Sequence, residues 1–161
     1  MVKTALERKA EASIRDRTLI FVRRLPAERE KVFRAWTDQK LLAQWMAPGD
    51  MTIPSATVDA REGGGYRITM RAKEGKELTV SGQYCEVKPA ERIVMTWAWE
   101  EEQGHGPVTC ITIELKPSGK ATEMRFHHAL FEDKDTRNSH RSGWQSIFDK
   151  LARWCKASAL N

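Results

Sequence analysis

Only three cysteines stand in the 161 residues, and no two of them form a C-x-x-C pair. An odd count at wide spacing excludes a disulfide framework, and a structural zinc site needs about four closely spaced ligands. Cys85, Cys110 and Cys155 therefore read as reduced, small, mostly buried residues. Long apolar runs are missing too: nothing approaches the ~18 uninterrupted apolar residues of a membrane helix. The first twenty residues carry Lys3, Glu7, Arg8, Lys9, Glu11, Arg15, Asp16 and Arg17, which breaks up any secretory h-region. A large excess of one charge sign is also absent. Lys and Arg total 27 against 22 acids, a formal charge of +5, and elsewhere the signs alternate, as in AEREK (27–31) and EDKDTR (132–137). A nucleic-acid footprint needs a concentrated basic stripe with stacking aromatics, and none is present. These absences predict a cytoplasmic protein with no nucleic-acid partner and no membrane insertion.

What is present is a globular composition, 40% hydrophobic and 30% charged, at a length suited to one core. Residues 1–13 form a polar leader, expected to be a frayed helix or disordered, ahead of a single domain over 14–158. Residues 17–25 (RTLIFVRRL) read as a β-strand, and Pro26 as the first position of a helix. Over 28–37, Val32, Phe33 and Trp36 share one helical face. Asp38 then caps a second short helix carrying Leu41, Leu42, Trp45 and Met46. From Met51 the apolar period changes to two. Six strands are predicted, at 52–60, 65–73, 77–87, 92–100, 108–116 and 122–130, with short turns that favour antiparallel neighbours. In the second and last of these, Tyr66, Ile68 and Met70, and Met124, Phe126, His128 and Leu130, line one face. A final helix over 139–157 carries a broad stripe of Trp144, Ile147, Phe148, Leu151, Trp154 and Cys155 suited to cover the sheet.

Strand, two short helices, six strands and a long helix make an α+β protein. This order, with VFRAWTDQKLLAQWMAP (32–48), REGGGYRITM (61–70), ERIVMTWAWE (91–100) and GWQSIFDKLARW (143–154), resembles the START/birch-allergen (SRPBCC) superfamily. More narrowly it resembles its bacterial Aha-type group, relatives of the activator of the heat-shock ATPase chaperone. The resemblance covers roughly residues 18–156. It implies a helix-grip fold: a curved antiparallel seven-strand sheet wrapped around a long C-terminal helix, with two short helices between strands 1 and 2. It also implies an apolar pocket between sheet and helix, and the group's name points to stress response.

The residues that would wall such a pocket are Tyr66, Ile68, Met70, Met95, Trp97, Trp99, Phe126, His128, Trp144 and Phe148; the same spacing also describes an ordinary filled core. His128 should point inward, where its N–H needs a partner in the protein or on a guest. His127 faces the other way, and with no carboxylate near His105 or His140 no metal or cofactor is expected. Gly63-Gly64-Gly65 lacks the lysine and hydroxyl of a phosphate loop and reads as a tight turn or bulge. No nucleophile elbow appears.

Three functions compete. The first is enclosure of a small apolar or amphipathic molecule, favoured by many inward aromatics and few titratable groups. The second is catalysis of cyclase or aldol type in the same cavity, with His128, Tyr66 and Glu100 as proton carriers; binding is expected over catalysis. The third is regulation of a chaperone ATPase, a partner not expected because this chain matches only the helix-grip portion. A homodimer is left open.

Overall fold

The computed structural model describes residues 2–158, and Met1 of the leader lies outside them. Helix α1 (Ala5–Asp16) opens the chain. Its first turn is closed by a capping box, in which Thr4 accepts from the Glu7 N–H and the Glu7 carboxylate accepts from the Thr4 N–H. Its described side chains are all exposed, and the helix runs past residue 13, where the sequence places the end of the leader.

Seven strands form one antiparallel, curled sheet: β1 (Leu19–Leu25), β2 (Thr52–Val58), β3 (Gly65–Arg71), β4 (Glu77–Lys88), β5 (Arg92–Glu101), β7 (Thr109–Ser118) and β8 (Ala121–Ala129). Their order is β1-β8-β7-β5-β4-β3-β2, and a two-residue strand, β6 (Gly104–His105), pairs with the end of β5. Sequence reasoning leaves β6 in a turn, since two residues carry no period. Between β1 and β2 lie α2 (Arg29–Thr37) and α3 (Gln39–Leu42). Asp38 caps α3 by accepting from the N–H groups of Lys40 and Leu41. Pro26 does not start α2. The chain bends there, Ala27 is buried with its carbonyl accepting from the Thr122 hydroxyl, and the helix begins three residues later.

The last helix, α4 (Lys134–Ser158), begins five residues before the predicted start. Asp133 caps it, its carboxylate accepting from the Thr136 N–H at 2.7 Å, and these bonds hold its carboxyl below the usual range. Trp144, Ile147, Phe148, Leu151 and Cys155 are buried along the face that α4 turns to the concave side of the sheet. Phe126 of β8 sits under them, 4.5 Å from the Trp144 ring and 4.8 Å from Phe148. Trp36 stacks on Phe126 from the other side and meets Trp45 edge-on at 4.7 Å. Trp36 and Trp45 are about 1% exposed, so they fasten the short helices to the core.

One inward assignment fails. Leu130 is 61% exposed, because the chain turns there through a left-handed conformation (φ 69°) that ends the alternation of β8. Phe131 takes the buried position instead, with its ring 4.2 Å from that of His128.

Gly63-Gly64-Gly65 forms the β2–β3 turn. The N–H of Gly63 donates to Tyr84 O, that of Gly64 to Arg61 O, and Gly63 has φ 82°. With these donors engaged the turn is a structural clasp against β4.

Candidate functional site

Away from the aromatic plug around Phe126, the sheet and α4 diverge. Beneath the N-terminal half of α4 they leave a partly open cleft of about 270 Å³. That is close to the small end of the ~300–1,000 Å³ range of small-molecule sites. Its walls follow from register. Met70 and Leu78 face each other across β3 and β4, and Trp97 and Trp99 project from β5 with the period of two that puts both on the concave side. On α4, His140, Gly143, Trp144 and Ile147 stand at helical spacing along the facing stripe.

Pro48 and Met51 form the remaining rim. This segment is tied to α4, since the Gly49 N–H donates to Ser146 Oγ at 2.8 Å and Lys150 Nζ to Ala47 O at 2.6 Å. Gly143 gives the cleft part of its width: a Cβ built there meets no atom within 4 Å. None of the lining residues carries a formal charge.

The polar groups at the inner wall are ordered with one direction of donation. The indole N–H of Trp144 donates to His128 Nδ1 at 3.0 Å, which leaves the imidazole proton on Nε2. That proton goes to Thr109 Oγ1 at 2.7 Å, and the Thr109 hydroxyl in turn donates to Trp97 O at 2.8 Å. His128 is fully buried, and burial, with a smaller contribution from His140, lowers its pKa well below that of a free imidazole. A proton on Nδ1 would also oppose the Trp144 N–H.

A second pair repeats the device. The Trp99 N–H donates to His140 Nε2 at 3.0 Å, and His140 Nδ1–H donates to Thr136 O at 2.9 Å. Trp97 breaks the pattern. Its indole N–H is buried and has no partner among the described residues, a deficit worth about 1–3 kcal/mol.

Of the ten residues named from sequence, Met70, Trp97, Trp99 and Trp144 line the cleft. Phe126 and Phe148 lie in the plug, and His128 lies behind Trp97 and Trp144, its ring centroid 5.7 and 5.8 Å from theirs. Ile68 and Met95 are buried outside the lining, and Tyr66 reaches across Gly82 to donate its hydroxyl to Thr96 O. Burial raises the Tyr66 phenol pKa above its ordinary range.

The three proton carriers considered for catalysis are not brought together. His128 has both ring nitrogens engaged, the Tyr66 hydroxyl is bonded to backbone, and Glu100 forms a two-point ion pair with Arg67 at 2.9 Å. Pro48, Met51, Leu78, Ser139, His140 and Gly143 line the cleft without having been named as site residues. The spacing 140, 143, 144, 147 carries the signal for the helical ones, and all four already fall within the helix predicted over 139–157.

A curled antiparallel sheet gripping a long C-terminal helix, with an uncharged cleft between them, defines a helix-grip protein. Residues 26–156 match the family described as "Activator of Hsp90 ATPase homolog 1-like protein", and the chain belongs to that family. Solved structures agree. A protein of Chromobacterium violaceum is 28% identical, with a TM-score of 0.79 over 86% of this chain and 97% of its own. The AHSA1 protein of Silicibacter pomeroyi is 26% identical, with a TM-score of 0.80 over 89% of this chain and 99% of its own. A protein of Nitrosomonas europaea is 25% identical, with a TM-score of 0.77 over 91% and 98%. No curated protein matches. Among the described residues no helix is long and apolar enough to cross a membrane.

Proposed function

We propose that this chain is a binding protein that holds a small apolar or amphipathic molecule in the cleft between β3–β5 and the N-terminal half of α4. The observation that carries the reading is the composition of the walls: aromatic rings, thioethers and aliphatic groups, with no lysine, arginine, aspartate or glutamate among them and with His128 and His140 each accepting from an indole N–H. Such a surface gains from burial against a guest and offers few groups for proton transfer.

Gly143 supplies the test. Gly143→Leu projects a side chain from a helical position where a Cβ meets nothing, so it fills the cleft while favouring the helix. The expected result is that the wild-type chain takes up 2-ethylnaphthalene, followed by shifts of its indole N–H resonances. The variant should keep its fold and lose at least tenfold in affinity. Equal binding by both proteins, or none by the wild type, refutes the reading. Chaperone regulation has the family's description behind it, and catalysis lacks an assembled set of proton carriers; we place both below binding.

A further inference from the structure

A second hollow of about 80 Å³ adjoins the cleft, reaching toward Thr109, Phe131 and Thr136. The two share three walls, Trp97, Trp99 and His140. Trp97 is fixed: it is 3% exposed, with the rings of Trp144, Trp99 and His128 at 5.0, 5.5 and 5.7 Å. Trp99 is half-buried near the end of β5, and its indole is held to α4 by the single hydrogen bond to His140.

The indole N–H of Trp97, a residue that lines both hollows, is buried and has no partner among the described residues, as is that of Trp36 in the plug. The side-chain acceptors around it are taken, His128 Nδ1 by Trp144 and His140 Nε2 by Trp99. Neither hollow is lined by a lysine or arginine, and Glu132 at the second one would repel an anion.

Resting on the reading of the cleft as a binding site, we propose that its guest is an uncharged apolar molecule bearing one acceptor oxygen, a ketone or ether. The guest lies against the Trp97 ring in the cleft and accepts a hydrogen bond from Trp97 Nε1–H, while Trp99 keeps its bond to His140. Burying an N–H that has no partner is costly, and an oxygen placed there removes the cost. A hydrocarbon of the same outline fills the cleft but leaves the donor unpaired.

The test compares 2-acetylnaphthalene with 2-ethylnaphthalene, which differ by one carbonyl in place of one methylene, on the full chain labelled with ¹⁵N at its indole nitrogens. The Trp97 resonance is assigned through its proximity to the Trp144 and His128 rings, so no substitution is needed. The ketone is expected to bind two- to tenfold more tightly, although water solvates it better than the hydrocarbon. With it the Trp97 indole proton should move downfield, while that of Trp99 keeps the shift of an indole bonded to His140. If the hydrocarbon binds as tightly and the Trp97 resonance stays in place, the acceptor requirement is wrong while the cleft remains a binding site. If neither compound moves any indole resonance, the binding reading fails and this inference with it.

Discussion

His128 makes the protein sensitive to acid in a calculable way. In the folded chain its imidazole is neutral, enclosed, and committed as acceptor to Trp144 and donor to Thr109, with its pKa driven down by burial. Unfolded, it takes up a proton near pH 6.5. The unfolded state therefore binds more protons below that point. The stability linked to His128 is present in full above about pH 6.5 and drains away as the pH falls toward the folded-state value. Acidification from pH 7.5 to 5.5 therefore removes stability through this residue, on the order of 1 kcal/mol.

His128→Gln keeps an acceptor for Trp144 and a donor for Thr109 but cannot titrate. Its constant loss of packing cancels when the same protein is compared at two pH values. Urea unfolding followed by tryptophan fluorescence at pH 7.5 and 5.5 should show the wild-type midpoint falling by roughly 0.5–1 M more than that of the variant. Identical pH dependence in wild type and variant would refute the assignment of His128 as the buried neutral group.

Three further outcomes follow from the geometry. Gly82→Ala should cost about 2–3 kcal/mol in chemical unfolding, because a Cβ there lies 2.1 Å from Thr96 O, the carbonyl that also receives the Tyr66 hydroxyl; a loss below about 0.5 kcal/mol would contradict the close approach. Cys85 is exposed, whereas Cys155 is buried with its thiol pushed up to about 11, so a disulfide reagent should modify Cys85 first and reach Cys155 only on unfolding; a rapid phase that persists in Cys85→Ser would overturn this. Removing residues 1–13, which we take as a leader outside the domain at 14–158, should move the thermal midpoint by no more than about 2 °C, since the contacts at Arg15 and Arg17 are retained; a larger fall would place α1 within the folding unit.

Much of the fold was legible because it rests on periods that survive in one dimension. The change from helical spacing to alternation at Met51 marks the sheet, and the i, i+3, i+4 stripe of Trp144, Ile147, Phe148 and Leu151 marks the covering helix. What escaped were features set by single residues against distant neighbours. The start of α4 depends on one carboxylate, Asp133, in a run that looks like linker. The exchange of Leu130 for Phe131 in the core depends on one left-handed residue. β6 exists because Gly104 and His105 meet β5.

For the site, sequence determined which side chains point inward, since alternation along a strand is fixed by the pleat. It could not determine which of them close on one another, because that depends on how far α4 stands from each strand. Only the tertiary structure decided that Phe126 and Phe148 fill the space while Met70, Trp97, Trp99 and Trp144 border it. It also decided that the indoles of Trp99 and Trp144 find imidazole acceptors whereas that of Trp97 finds none. The direction of a side chain is local; the gap it faces is a sum over the whole chain.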